Sequence, residues 1–203
     1  MTALNNLSNS IRFVKMRAKV DNIEEMEAMI FKFTESLGRR SQIEAIYFNS
    51  PFGVLKIRKY AGSGNYGEML FYERGLKKNS KFIGEVKYSS LENSNETTSV
   101  LSYALGNIEA IKVLRRQFEK DNIVINLDSV EGLGCFMSLK FILNNNDISE
   151  EAALIKMKET MASEFNFTKR NILPFGTYLD LMKTNGLEDS DYDDEHTSDS
   201  SVL

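Results

Sequence analysis

The sequence predicts an α+β fold in which an antiparallel sheet, suited to closing into a barrel, is covered by helices. Most of the chain consists of short runs in which apolar and polar side chains alternate, as they do in strands with one buried face. Short turns separate these runs, and few long crossovers interrupt them. Apolar residues fall at helical spacing in only a few stretches. Consecutive strands joined in this way favour antiparallel pairing.

The composition limits the classes of protein to which the chain can belong. Its 203 residues fit one domain, and 42% hydrophobic with 27% charged residues is ordinary for a soluble protein. Because it has one cysteine, Cys135, and one histidine, His196, an internal disulfide framework and a Cys/His zinc site are excluded. No apolar run is long enough for a secretory signal or a membrane span. We therefore expect a cytoplasmic protein without membrane contact.

Charge is distributed unevenly along the chain. Residues 186–203 contain seven of the 29 acidic side chains and no Lys or Arg, which leaves 25 basic and 22 acidic side chains elsewhere, a net charge of +3. Low hydrophobicity with like charge is typical of disordered segments. We predict an N-terminal tail at 1–10, one domain at 11–183 and an acidic disordered tail at 184–203. That tail either increases solubility or masks a basic site.

The first predicted strand, residues 11–20, has two different faces. Its apolar face consists of Val14, Met16, Ala18 and Val20. Its second, mainly cationic face consists of Phe13, Lys15, Arg17 and Lys19. A helix is predicted next, capped by Asp21 and ended by Gly38. The apolar positions of this helix are Ile23, Met26, Ile30, Phe33 and Leu37.

The remaining elements follow from the same patterns. Two further helices are predicted at 98–105 and at 149–164, the second capped by Ser149. The other strands are predicted at 43–49, 53–60, 68–74, 81–88, 111–120, 122–130 and 136–143.

Several of these strands carry cations on one of their two faces. The cations are Lys15, Arg17, Lys56, Arg58, Arg74, Arg115 and Lys140. Such a face is either exposed to solvent, as in many antiparallel sheets, or directed into the lumen of a closed barrel. Cations from several strands in one closed sheet would form an anion tunnel, and their number favours this interpretation.

Four segments, taken in order, resemble the CYTH, or triphosphate tunnel, family of class IV adenylyl cyclases, thiamine triphosphatases and inorganic triphosphatases. They are residues 47–49 (YFN), 53–58 (GVLKIR), 68–74 (EMLFYER) and 127–134 (LDSVEGLG). Residues 176–182 (GTYLDLM) are similar to the closing helix of that family. The resemblance covers residues 11–183 and implies an eight-stranded antiparallel barrel that holds a triphosphate with basic side chains, while glutamates on the first and last strands bind Mg²⁺ or Mn²⁺.

The basic half of that implied site has matching residues in this chain. The lysine that closes the E-x-E-x-K signature of the family corresponds to Arg17. The resemblance implies that Arg17, Lys56, Arg58, Arg74, Lys81 and Arg115 bind phosphate, with Arg116 as a weaker candidate. Lys15 and Lys140, which replace glutamates of the family, are added to this set because a cation at the position of a metal ion supplies the same sign of charge to a phosphate. Val54 and Val113 stand where the family has further basic residues.

The acidic half has few matching residues. The two glutamates of the first signature fall on Phe13 and Lys15, and the later pair falls on Ser138 and Lys140. Asp128 matches an acid of the family and Glu131 is near it in the pattern, so these two are the candidate metal ligands. Two carboxylates make a poor metal cage.

The sequence therefore leaves three hypotheses open. The first is a domain that binds a triphosphate, polyphosphate or nucleotide with little or no catalysis and no required cofactor. The second is a metal-dependent triphosphatase or class IV adenylyl cyclase-like enzyme that uses Mg²⁺ or Mn²⁺. The third is a structural interaction domain whose tunnel has collapsed around Phe13 and Phe136. In the first two cases the partner is a small molecule that contains a triphosphate, and we expect no nucleic-acid partner.

Overall fold

The computed structural model describes residues 10–72, 82–143, 148–173 and 176–190. Two predicted site residues, Arg74 and Lys81, lie outside this part of the chain. The elements, in order, are β1 (Ser10–Val20), α1 (Ile23–Thr34), β2 (Arg39–Phe48), β3 (Val54–Tyr60), β4 (Gly67–Tyr72), β5 (Ile83–Leu91), α2 (Ser94–Leu105), β6 (Asn107–Lys120), β7 (Ile123–Val130), β8 (Gly134–Ile142), α3 (Glu150–Ser163) and α4 (Tyr178–Ser190).

The eight strands form one closed antiparallel barrel. Their order around it is β1-β5-β4-β3-β2-β6-β7-β8, and the barrel closes where β8 pairs with β1. That pairing runs from Phe13 opposite Ile142 to Val20 opposite Cys135. The predicted α+β class and the closed eight-stranded barrel are thus confirmed.

The alternation of residues along each strand produces an apolar outer face beneath the helices. Val14, Met16 and Ala18 of β1 are buried, and they belong to a core cluster that includes residues of β7, β8, α1 and α3. A second outer cluster packs Ile46, Phe48 and Ile57 against α2. The other face of each strand is directed into the lumen. None of the described helices is long and apolar enough to cross a membrane.

The first helix is shorter than predicted. Its N-cap is Asn22 rather than Asp21, and the Asn22 side chain accepts a hydrogen bond from the backbone N–H of Glu25. It ends at Thr34, where Glu35 adopts φ 54°, and Leu37 is 71% exposed instead of buried. Gly38 has φ 65° and lies so close to β6 that a Cβ would be 2.8 Å from Phe118. This glycine therefore lets the chain enter β2 and does not cap the helix.

Other boundaries also differ from the prediction. α2 begins at Ser94 with Asn93 as its N-cap, and β2 and β6 each begin four residues before the predicted 43 and 111. Ser149 caps α3 as predicted. α4 continues to Ser190, so residues 184–190 of the segment predicted to be disordered are helical.

Candidate functional site

The barrel encloses a cavity of about 390 Å³ on the side where α4 begins. Alternation along β1, β3 and β6 places five cations on its wall: Lys15, Arg17, Lys56, Arg58 and Arg115. The remaining wall is mainly aromatic and apolar, and the segment that leads into α4 covers one side. These residues are Phe13, Ile43, Ala45, Tyr47, Val54, Tyr72, Val113, Gly176, Thr177, Tyr178 and Asp180.

A sixth cation, Lys140, faces the same lumen. It stands directly opposite Lys15 in the pairing of β1 with β8, and its ammonium nitrogen lies 5.1 Å from the ring centroid of Phe13. Phe13 packs in turn against Leu70 and Val86, which fill the lumen beside the cations. The lysine pair therefore lies between the cavity and an apolar cluster.

Asp128, on β7, is a buried carboxylate of the lumen with several hydrogen-bond partners. Its two oxygens accept hydrogen bonds from Nε and Nη2 of Arg115 at 2.8 and 2.7 Å, and the hydroxyl of Tyr178 donates to it at 2.6 Å. Burial opposes ionisation of Asp128, but the charge and hydrogen bonds of Arg115, with that of Tyr178, outweigh it and lower the pKa of this carboxyl. The same ion pair raises the pKa of Arg115 against the effect of burial. Asp128 is thus held ionised.

Arg17 ties β1 to the segment before α4. Its Nη1 donates to the backbone oxygen of Gly176 at 3.1 Å, and its guanidinium carbon lies 4.2 Å from the ring centroid of Tyr178. The Arg17 side chain is buried, and its Nε has no hydrogen-bond partner among the described residues. An unpaired buried donor of this kind costs free energy unless an acceptor occupies the cavity.

Lys56 and Arg58 lie among tyrosines. The ammonium of Lys56 donates to the Tyr47 hydroxyl at 3.3 Å and lies 5.1 Å from the ring centroids of Tyr47 and Tyr72. Burial raises the pKa of Tyr47 to about 12, so its hydroxyl stays protonated. Arg58 has a distant carboxylate partner, Glu68, at 3.8 Å, and Glu68 also accepts a hydrogen bond from Tyr60 at 2.6 Å. These contacts hold both cations at the cavity wall.

Cations outnumber carboxylates in the lumen of the described structure. Six cations face it, against Asp128, Glu68 and Asp180, and Asp180 accepts hydrogen bonds from the backbone N–H and hydroxyl of Thr177 at the start of α4. The side chain of Lys15 has neither an ion pair nor a hydrogen bond among the described residues, and only its backbone N–H donates, to the backbone oxygen of Phe82. Burial, followed by the charges of Arg17 and Lys140, holds its pKa well below the usual range. The cavity therefore suits an anionic ligand.

Comparison with known proteins identifies the family to which this barrel belongs. A sequence model of the CYTH domain matches residues 13–171. The chain belongs to the CYTH domain family. The match extends from β1 to beyond the end of α3. It includes the five strands whose side chains line the cavity, which are β1, β2, β3, β4 and β6.

Relatives of this CYTH domain include both a curated protein and solved structures. A Methanocaldococcus jannaschii protein, named as a candidate adenylate cyclase, is 24% identical over 179 residues, which is 83% of this chain and 97% of the relative. A conserved hypothetical protein from Pyrococcus furiosus has a TM-score of 0.71 at 22% identity, covering 83% of this chain and 99% of that one. A Hippeastrum protein, described as a candidate adenylyl cyclase with a dominant triphosphatase activity, has a TM-score of 0.58 at 11% identity over 86% and 96% of the two chains. The two structural likenesses support the fold.

The carboxylates in the described part of this CYTH domain do not fit a metal ion held by the protein. Both oxygens of Asp128 are occupied by Arg115 and Tyr178. Glu131 lies in the exposed turn after β7, 3.6 Å from Lys112, and does not share a site with Asp128. Across the described ranges no group of three His, Cys, Asp or Glu side chains is arranged to bind a metal. Mg²⁺ and Mn²⁺ prefer several oxygen ligands, which this arrangement does not offer.

The structure brings together six of the eight residues for which phosphate binding was predicted. Five line the cavity and Lys140 lies beside Lys15, while Arg74 and Lys81 fall outside the described ranges. The weaker candidate Arg116 is directed outward, where it binds Glu27 and the backbone oxygen of Leu37. It follows Arg115 directly in β6, and successive strand residues face opposite sides.

Sequence reasoning missed the aromatic part of the CYTH cavity. Tyr47 and Tyr72 flank Lys56, and Tyr178 contacts both Asp128 and Arg17. The signals were present, because Tyr47 shares a strand face with Ile43 and Ala45, and Tyr178 belongs to the closing-helix motif. The third hypothesis placed Phe13 and Phe136 in a collapsed tunnel. In the structure Phe136 packs on Tyr178 with ring centroids 5.4 Å apart, and Phe13 lines the cavity.

Proposed function

We propose that this CYTH domain binds a small molecule bearing a triphosphate group in the cavity of its barrel and has little or no catalytic turnover. One observation carries the proposal: cations from β1, β3 and β6 converge on one enclosed cavity, and a further lysine of β8 faces the same lumen. A triphosphate has the charge density that such a site would neutralise, and guanidinium groups match phosphate oxygens in geometry.

The unused hydrogen-bonding capacity of the cavity supports a bound anion. Arg115 is satisfied by Asp128, but Nε of buried Arg17 has no partner and Lys15 has no carboxylate within the described structure. Both groups belong to β1, two residues apart, so they share one side of the wall. Phosphate oxygens placed there would accept from both donors.

Binding in this proposal needs no metal ion. Lys15 and Lys140 stand where the family pattern has glutamates, so positive charge of the protein itself meets the phosphate. An ammonium supplies the same sign of charge as a divalent cation but no exchangeable water and little Lewis acidity. That difference is the reason for expecting binding without fast hydrolysis or cyclisation.

Calorimetric titration with inorganic triphosphate and with ATP tests the proposal. We expect binding to wild-type protein whose affinity is unchanged by EDTA, with no release of phosphate or cyclic nucleotide. Lys56→Met should weaken binding by at least about tenfold, since a hydrogen bond to a charged group contributes roughly 1.5–3 kcal/mol. Lys59→Met is the matched control, because Lys59 lies in the same strand on the opposite face. If neither ligand binds with or without Mg²⁺, a structural role for the barrel replaces this proposal.

A second candidate is a metal-dependent triphosphatase or adenylyl cyclase-like enzyme, favoured by the name of the Methanocaldococcus relative and by the described activity of the Hippeastrum protein. In that case Mg²⁺ or Mn²⁺ would enter bound mainly to the phosphates, near Asp128. Release of phosphate or cyclic nucleotide that requires the metal, and that disappears in Asp128→Asn while the protein remains folded, would establish this function instead.

A further inference from the structure

The pair formed by Lys15 and Lys140 is an unusual arrangement for the inside of a closed barrel. The two residues are directly opposite each other on adjacent strands, where like charges repel. Neither lysine has a carboxylate within salt-bridge distance in the described structure. Two facing lysines without an acid between them are stable only if at least part of their charge is absent or is neutralised by something else in the cavity.

The groups that face this pair are mostly cationic. From β1, β3 and β6 come Arg17, Lys56, Arg58 and Arg115. The nearest carboxylates are Asp128 of β7, which is bound by Arg115, and Glu68 of β4, which is bound by Tyr60 and lies 3.8 Å from Arg58. From α4, Tyr178 donates to Asp128, and Asp180 is engaged by Thr177. The acids of the lumen are thus directed toward other partners.

We propose that protons taken up by Lys15 and Lys140 accompany a polyanion into the cavity and supply the positive charge that a metal ion would otherwise bring. The inference rests on the proposed function, because it concerns the same site and ligand. Each step is a simple protonation: the buffer gives up a proton, and a neutral side-chain amine becomes an ammonium beside a phosphate oxygen.

The titration properties of the lysines agree with the geometry. Burial and the neighbouring cations, Arg58 and Arg115 foremost, lower the pKa of Lys140 to about 8. Burial, together with Arg17 and Lys140, also holds the pKa of Lys15 well below its usual value. A bound polyanion reverses these effects, because an opposite charge nearby favours the ammonium form. Around and above pH 8 the empty site therefore holds fewer protons than the filled site, and binding is coupled to proton uptake.

Affinity should accordingly fall as pH rises. Linkage gives a loss of about tenfold in affinity per pH unit for each proton taken up. With ATP as the ligand, the range from pH 7.5 to 9.5 isolates this effect, because its one terminal phosphate, with a pKa of about 6, is already ionised there. Guanidinium groups also stay charged throughout. A fall in affinity within this range thus reports on the lysines.

Titration calorimetry with ATP at pH 8.5, in two buffers of different ionisation enthalpy, tests the proposal. The difference between the two apparent enthalpies gives the number of protons exchanged, and we expect uptake of about one proton per ligand. In the double variant Lys15→Arg/Lys140→Arg, both cations are permanently charged. Proton uptake should fall to less than half while binding remains measurable. Lys158→Arg, at an exposed position of α3, is the matched control and should leave the uptake unchanged.

Two results would overturn the proposal while leaving the proposed function intact. The first is binding to wild-type protein without net proton uptake, or with proton release. The second is an uptake in the double variant as large as in the wild type, which would assign the protons to other groups such as Lys56. Absence of any triphosphate binding, in contrast, would overturn the proposed function and this inference with it.

Discussion

Asp128 and Arg115 form a two-pronged ion pair across the β6–β7 ladder, with oxygen–nitrogen distances of 2.8 and 2.7 Å. The pair is buried, with side chains 1% and 12% exposed, respectively. It makes Asp128 a support for a cation of the cavity wall. Its consequences for stability and for ligand binding can be measured separately.

Removing the charge of Asp128 should destabilise the domain. Asp128→Asn leaves Arg115 buried without its counter-charge, and breaking a buried pair in this way costs roughly 3–5 kcal/mol. The measurement is the free energy of unfolding from urea titration. Glu131→Gln, whose carboxylate is 68% exposed and 3.6 Å from Lys112, should change it by no more than about 0.5 kcal/mol. Equal small losses in both variants would contradict the structural role assigned to Asp128.

The hydroxyl of Tyr178 should stabilise the folded domain independently of the contacts that the ring makes. Tyr178→Phe removes the 2.6 Å hydrogen bond to Asp128 and keeps the ring beside Arg17 and Phe136. A hydrogen bond to a charged group contributes roughly 1.5–3 kcal/mol, and we expect a loss of that size in chemical denaturation. Tyr103→Phe, at a side chain that is 93% exposed, provides the comparison and should be neutral. A neutral Tyr178→Phe would mean that water replaces the lost donor.

Stability should increase with pH in the mildly alkaline range. The folded-state pKa of Lys140, about 8, lies below the unfolded value of about 10.4, so between these values the unfolded chain binds more protons than the folded one. The free energy of unfolding therefore increases as the pH rises from about 8. Urea midpoints measured from pH 7 to pH 10 should rise, and the rise should be smaller in Lys140→Met.

The increase should end near pH 10. Tyr47 and Tyr60 have folded-state pKa values raised to about 12 by burial, whereas an unfolded tyrosine ionises near pH 10. Above that pH the unfolded chain loses protons that the folded barrel retains, and stability decreases. A midpoint that falls steadily from pH 7 upward would contradict the assignment for Lys140, and a midpoint that keeps rising beyond pH 10 would contradict the assignment for the two tyrosines.

Ligand binding should also stabilise the fold against heat. At a triphosphate concentration one hundred times the Kd, binding adds about 2.7 kcal/mol, which corresponds to a rise in Tm of roughly 5–10 °C for a domain of this size. Arg17→Met should reduce the rise at the same ligand concentration, because Nε of Arg17 is a buried donor of the cavity wall that has no hydrogen-bond partner among the described residues. Arg170→Met, at an exposed position after α3, serves as the control. A full rise in the Arg17 variant would remove that side chain from the site.

The sequence was sufficient to predict which strand faces point inward, because alternation is a local property. Val14 and Met16 are in the outer core, and Lys15 and Arg17 line the cavity. The caps were less predictable, since Asp21 and Asn22 are both good N-cap residues and only the path of the chain selects one. Gly38 was misread for a related reason: its left-handed conformation serves the approach to Phe118 rather than a helix end.

The partners inside the lumen could not be predicted from spacing. Asp128 and Tyr178 are 50 residues apart, and nothing local indicates that they share a hydrogen bond. The ion pair between Asp128 and Arg115 could not be predicted from local sequence either, because it depends on the register that places the two residues opposite each other in β6 and β7. Such contacts depend on how the barrel closes, which is a property of the whole chain.

The pairing of β1 with β8, which closes the barrel, also determines how long the edge of β1 stays exposed during synthesis of the chain. During synthesis, β1 emerges long before β8, so the edge that will pair from Phe13 to Val20 is exposed while more than a hundred residues are added. An apolar strand left open in this way is a template for aggregation, and charged residues within it are a recognised protection. Lys15 and Arg17 interrupt that stretch of apolar residues. The cations of the cavity wall thus also help keep the nascent chain soluble until its last strand arrives.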